Sequence, residues 1–584
     1  MSLDSQERVH ADAAAQMMQP TQYYQYYQRQ SRLFGLPREL RDQIYQHYVS
    51  EPNGYVFDSS TEKLKLNTPS SSAAGNDGIC QSLRLTCKLA AEETRGLALK
   101  ENTMVFRTGL SGDVDGDGYR GLTSLAGRLR CVLDYYDLNN LIILSYATEL
   151  DLLSPKVFRK MRERFPTVGG RFEHMYADIS DDREPTVVAW DTELPWAGSL
   201  TSWLCHYSLE TFSDVARFVL QQLQVENPAG YRVGTVCAFE TERLPPFSII
   251  AGSPWRHYFD SGSREEILSI QILEYWSIPQ ELWLRKMEMH LTSPSTEHEM
   301  RLYSGRVIDP LNRWHSNDVD FHQHSEHTRW YFSAASMSIN FLQKLPQGHL
   351  QYVRNMVLHE DRKAVARPAC HLRGFIPYCQ ENTQLRIMRR IGYSENMLPL
   401  DWNGIDQPGR ESWDKYEMDG HTYLCAFVQW MEEAVDLSNH GMPLPSCQVI
   451  LGTNDGDITQ KAWELVMQVA VVQDAFTQWY KMSGLSLTHL DERRYLKYTR
   501  SVFPMPDYLP KDFSRNVHDI AQGRSILKVH EVTNERWDVA EFVKERQSWT
   551  LEQWQDDWVH LMFSQESVID KDLWKGWAEK YHIS

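Results

Sequence analysis

The stretch LFGLPRELRDQIYQHYV, residues 33–49, decides where folded structure begins in this 584-residue chain. Pro37 falls at a first helical position, where its missing N–H breaks no intrahelical bond. Leu36, Leu40, Ile44 and Tyr48 follow four apart, so a helix would gather them into one apolar stripe. Arg38 and Asp42, also four apart, lie on another face and can support the helix weakly in solvent. Before this stretch, residues 1–30 are polar and end in a Gln/Tyr-rich run, QPTQYYQYYQRQS. Such composition resists packing, and a disordered tail is expected.

After the helix, Pro52, Asn53 and Gly54 break the pattern. Residues 51–78 then read as an insertion, with strand-like pieces at 55–57 and 64–66 and a loop, TPSSSAAGNDG. From Ile79 to Leu99 the helical period returns, and Leu83, Cys87, Ala90, Ala91, Thr94 and Leu97 form a face of mostly small residues suited to close packing. Residues 102–106, NTMVF, look extended. The matching residues Leu36, Pro37, Glu39, Leu40, Ile44 and Tyr45, then Leu83, Arg84, Thr86, Cys87, Glu92, Glu93, Asn102 and Phe106, resemble the fungal F-box-like proteins. The resemblance covers some seventy residues and departs from a standard F-box in its long insertion. It implies a small F-box-like helical module over 31–108, a Skp1-like partner, and a role as substrate receptor of a ubiquitin ligase. Leu36, Pro37, Leu40 and Ile44 would be its partner-binding residues, in a helix-in-groove mode. The same stripe could instead pack on the rest of the chain, because amphipathic periodicity does not name its partner.

Residues 109–121 form an acidic, Gly-rich loop, and 122–584 read as a large helix-rich body with room for more than one subdomain. Helices are expected at 123–138, 154–165 and 213–224, and strands at 186–190 and 231–239. Further on, a helix at 333–344 precedes a strand at 352–359, and strands at 385–390 and 447–452 and a long helix at 458–482 continue the series. The order favours an α+β or mixed α/β layer structure, with a ladder of irregular repeats as the alternative; no fixed period supports a regular solenoid. The block VRNMVLHEDRKAVARPACHLRGFIPYCQEN, residues 353–382, also resembles a downstream block of the same fungal proteins. Trp554, Trp558 and Leu561 can share one helical face, read as packing back on the body rather than as a partner stripe.

Composition narrows the function classes. At 42% hydrophobic and 12% aromatic the chain must fold, and a formal net charge of −18 disfavours general nucleic-acid binding. The RKMRER segment, residues 159–164, reads as a solvated helix face. Nine cysteines show no CxxC pair and read as reduced, mostly buried thiols. There is no signal-like leader, no N-x-S/T site and no apolar run of 18 residues, so a cytoplasmic or nuclear protein away from membranes is expected.

Motifs tested for chemistry are weak. GDGYRG, Gly116 to Gly121, has the GxGxxG spacing without a preceding apolar strand. The overlapping DVDGDG sets Asp113, Asp115 and Asp117 as in a calcium loop, but Arg120 and Ser124 replace the apolar eighth and the acidic twelfth residues, so an acidic turn is the favoured reading. Asp320, His322, His324 and His327, with His315 nearby, are weak metal candidates in what reads as an exposed polar loop. His359, Cys370, His371 and Cys379 have zinc-compatible atoms at spacings that fit no finger or ribbon. No GxSxG and no phosphate loop occurs, and no cofactor is expected. The preferred function is protein–protein interaction, as an adaptor for an unknown protein substrate. The alternative is an enzyme, metal-dependent through Asp320 and the His322–His327 cluster, with its site in the body.

Overall fold

The computed structural model describes residues 31–67, 82–109, 124–130, 151–165, 209–231, 274–284, 330–393, 420–452, 456–483, 512–530 and 538–563, with isolated positions between them. The fold is mixed α/β, and alternation along its strands dictates it. In NMVLHE the residues Met356, Leu358 and Glu360 are buried while Val357 and His359 are only half-buried, and RIMRRI and CQVIL repeat the pattern. A period of two assigns one residue set to each face of a sheet.

The N-terminal helix α1 (Arg38–Val49) leads into an antiparallel hairpin of β1 (Tyr55–Asp58) and β2 (Lys63–Leu66). Two short helices follow, α2 (Lys88–Glu93) and α3 (Leu97–Glu101), then β3 (Thr103–Arg107). Beyond lie α4 (Pro155–Arg164), α5 (Leu209–Glu226), α6 (Ala334–Lys344), β4 (Asn355–Glu360), α7 (Ile376–Glu381) and β5 (Arg386–Ile391). The chain continues with α8 (Gly420–Asp436), β6 (Cys447–Leu451), α9 (Gly456–Met482), α10 (Phe513–Ala521), β7 (Leu527–Val529), α11 (Val539–Glu545) and α12 (Leu551–Phe563).

The described strands form one seven-stranded sheet in the order β2-β1-β3-β4-β5-β6-β7, parallel except for the β1–β2 hairpin. The stretch expected as an insertion, 51–78, thus supplies the sheet's edge. β3, from the F-box-like stretch, pairs with β4 of the body over five residues. Each new parallel strand is laid beside the last. A crossover between parallel strands is almost always right-handed, so a series that always advances in one direction keeps its connections on one face. The buried set on that face, including Tyr55, Phe57, Met104, Phe106, Met356, Leu358, Ile387 and Val449, shares one apolar cluster with Met337, Phe427, Trp463 and Trp554 from the helices.

The strands and helices expected from 333 onward form, with ends shifted by a few residues. Ser333 and Ser154 cap α6 and α4 through their side-chain oxygens, and Pro155 opens α4 as its position suggests. Trp554, Trp558 and Leu561 of α12 are buried, which confirms that they pack on the body. Two expectations need correction. Pro37 precedes the first helical residue and does not occupy it. The single helix expected over 79–99 is broken: Gly96 has φ +70°, in the left-handed region, and a Cβ there would lie 2.1 Å from the Tyr352 ring. The expected strands at 186–190 and 232–239 lie outside the described residues, as do most of 131–138, GDGYRG and the DVDGDG loop.

Candidate functional site

The geometry of α1 begins with what holds it. Glu93, at the end of α2, has a side chain only 5% exposed and meets three partners from α1. Arg41 donates Nε–H to Oε2 at 3.0 Å and Nη2–H to Oε1 at 2.7 Å, a two-pronged guanidinium–carboxylate pairing. Tyr45 donates its hydroxyl proton to Oε2 at 2.7 Å, and Arg38 Nη1 lies 3.0 Å from Oε1. Burial works against the Glu93 charge, but the Arg41 and Tyr45 hydrogen bonds and the two guanidinium charges outweigh it and hold the carboxyl below its usual value. Burial, and then Glu93, push the Tyr45 phenol up to about 12.

A second clasp closes the C-terminal end of α1. Asn102 is buried, donating Nδ2–H to the carbonyls of Val49 at 2.7 Å and Ala98 at 2.9 Å while Oδ1 accepts the Glu51 N–H at 2.7 Å. Tyr45, Glu93 and Asn102 are residues of the matched pattern, and their spacing in sequence reflects these contacts across about fifty residues.

With Tyr45 and Val49 buried beneath it, α1 turns its other side outward. Leu40 is 45% exposed and Ile44 43%, one turn apart, and Tyr48 continues the line with more than a third of its surface exposed. Leu36 is half-buried and Pro37 exposed at the start of the same helix. The stripe ends at a cavity of about 540 Å³ lined by Tyr48, Leu64, Leu83, Leu99, Phe341 and Leu345 among others. Exposed singly such residues are ordinary, but Leu40 and Ile44 lie in line on a helix whose opposite face is rigidly held.

The body offers one arrangement that resembles catalytic chemistry. His371 Nε2 lies 2.5 Å from the Ala366 carbonyl, which can only accept, so Nε2 carries the proton and Nδ1 accepts from Ser333 Oγ at 2.6 Å. A serine hydroxyl bonded to an oriented neutral imidazole is a nucleophile–base pair in form. Burial, and then the Arg389 charge, lower the His371 pKa to about 3. Ser333, Ser336 and His371 are nevertheless sealed, none more than 1% exposed, and Ser333 Oγ already accepts the Ser336 N–H as helix cap. The arrangement is a satisfied core. Beside it, buried Glu360 accepts the first N–H groups of α6 from Ala334 and Ala335 and pairs with Arg389 Nη2 at 2.8 Å.

Open α/β sheets bind ligands where the strand order reverses. Among the described strands the parallel order never reverses, so that crevice does not form. Cys370 and Cys379, with His371, are buried in the core; burial pushes the Cys379 thiol up to about 11 and, helped by Cys379 nearby, that of Cys447 up to about 12. No group of three metal-ligating side chains is found among the described residues, and Asp320, His322, His324 and His327 lie outside them. No described helix is long and apolar enough to cross a membrane. Sequence reasoning identified the α1 stripe by its spacing; it missed the Glu93 clasp, whose partners are too far apart in the chain to suggest each other. Comparison with protein-family models, with curated proteins and with solved structures finds no match.

Proposed function

We propose that this chain is an adaptor, a substrate receptor of the F-box type, in which α1 docks a Skp1-like protein and the sheet-based body holds a protein substrate for ubiquitin transfer in the cytoplasm or nucleus. The observation that supports this reading is the division of α1 into two faces: Tyr45 and Val49 buried, Leu40 and Ile44 exposed. A helix held by one face and apolar on the other is the donor half of helix-in-groove recognition, in which residues four apart fill successive pockets. Burying the exposed parts of Leu40 and Ile44 would contribute on the order of 1 kcal/mol each, enough to make them central to an interface. The Skp1-like identity of the partner rests on the resemblance of residues 36–106 to F-box-like proteins.

The test is co-purification of the full chain from its native cell, followed by identification of bound proteins. A Skp1-like protein in stoichiometric amount is expected; its absence from the wild-type sample would sink the ligase-receptor reading.

A further inference from the structure

The second face of the sheet carries a pattern that the helical face does not. Strand register places Arg107 of β3 beside His359 of β4, His359 beside Arg390 of β5, Arg390 beside Ile450 of β6, and Ile450 beside Lys528 of β7. This row runs across five strands, with a cation on every second one. Arg107 and Lys528 are exposed and Arg390 half-exposed. Neither Arg390 nor Lys528 makes a hydrogen bond or ion pair among the described residues, and Arg107 shares Asp361 at 3.2 Å with Thr108. Burial first, and then Arg107 and Arg390 on either side, lower the His359 pKa, so the imidazole adds no positive charge of its own at neutral pH. Two residues down the strands lies a second row, Val105–Val357–Met388–Gln448, in which Val357 and Met388 are half-exposed.

Against a net charge of −18, an unpaired cationic row beside an apolar one is a local inversion of the chain's character. Its spacing selects a ligand. Strands lie about 4.8 Å apart, so cations on alternate strands recur roughly every 9.6 Å. A polyproline II helix rises about 3.1 Å per residue with three residues per turn, so every third side chain shares a face at about 9.3 Å. A β-strand repeats on one face at about 6.6 Å and falls out of step with the row.

We propose that the open face of the sheet, along Arg107, Arg390 and Lys528 with Val357 and Met388 beside them, binds an extended acidic segment of a partner protein, in polyproline II form with a carboxylate at every third position. The carboxylates meet the three cations, and a neighbouring face of the same helix lies on the apolar row. The surface is remote in sequence from α1 and does not depend on what α1 binds.

The experiment is fluorescence anisotropy with the full chain and three labelled peptides, made of Pro-Pro-Glu, Pro-Glu and Pro-Pro-Lys repeats, the first two with equal numbers of Glu. The Pro-Pro-Glu peptide should bind at low salt, about fivefold tighter than the Pro-Glu peptide, and the Pro-Pro-Lys peptide should not bind. Arg390→Glu should weaken binding on the order of tenfold and Arg390→Gln about threefold. Lys461→Glu, an equal change of charge at an exposed position on α9, should alter it less than twofold, and Leu40→Asp should leave it unchanged. Equal binding of the Glu and Lys peptides overturns the proposal, as does equal binding of the two Glu spacings, or equal weakening by Arg390→Glu and Lys461→Glu.

Discussion

Glu360 in the body and Glu93 beneath α1 are built from the same chemistry and serve different ends. Glu360 and Arg389 are 0% and 1% exposed, and the network closes on itself through the start of α6, the Pro368 and Ala369 carbonyls and the Trp430 ring 4.7 Å from the guanidinium. Around Glu93 burial falls away outward, from the carboxylate at 5% through Arg41 at 14% to Arg38 at 50%. The first carboxylate fixes the interior; the second holds one side of a helix so that the other side stays in water.

This contrast breaks most visibly in the interior. Arg389→Met should cost about 4–5 kcal/mol in denaturant unfolding, because the Glu360 carboxylate then stays buried with no cation. Adding Glu360→Leu should recover much of that loss, since an apolar pair removes the desolvation penalty along with the charge. Glu93→Gln should cost less, about 3 kcal/mol, because water reaches Arg38 and rehydrates the freed guanidinium. Its pH signature has a definite sign. The folded carboxyl lies below its ordinary value, so its contribution is fully present above about pH 4.5 and is lost as pH falls through the lowered value. The gap between wild type and Glu93→Gln should therefore narrow on acidification. Tyr45→Phe, which removes one hydrogen bond to the same carboxylate, should cost about 1.5 kcal/mol by the same measurement.

How far these regions were legible in the sequence follows from the distance over which their physics acts. The α1 stripe repeats every four residues, and β4, β5 and β6 alternate or run apolar over five or six, so local pattern finds them. The Gly96 break was hidden because a helical period continues on both sides of it, and only φ +70° against Tyr352 reveals the turn. The place of β1 and β2 at the edge of the main sheet could not be read from two strand-like pieces, since pairing with β3 is a relation between segments about fifty residues apart. Glu360 and Arg389, Ser333 and His371, and the row Arg107–Arg390–Lys528 have no spelling along the chain at all. They are periodic or adjacent only across strands.

The central claim concerns the outer face of α1, where stability and function should separate. Leu40→Asp combined with Ile44→Asp alters exposed positions and should shift the unfolding free energy by no more than about 1 kcal/mol in total, the smallest stability effect predicted here. The most direct measurement pairs that unfolding curve with capture of the Skp1-like partner by wild-type and doubly substituted full-length chain. An unchanged unfolding midpoint with partner capture abolished is the predicted result. Undiminished capture by the folded double variant would contradict the account.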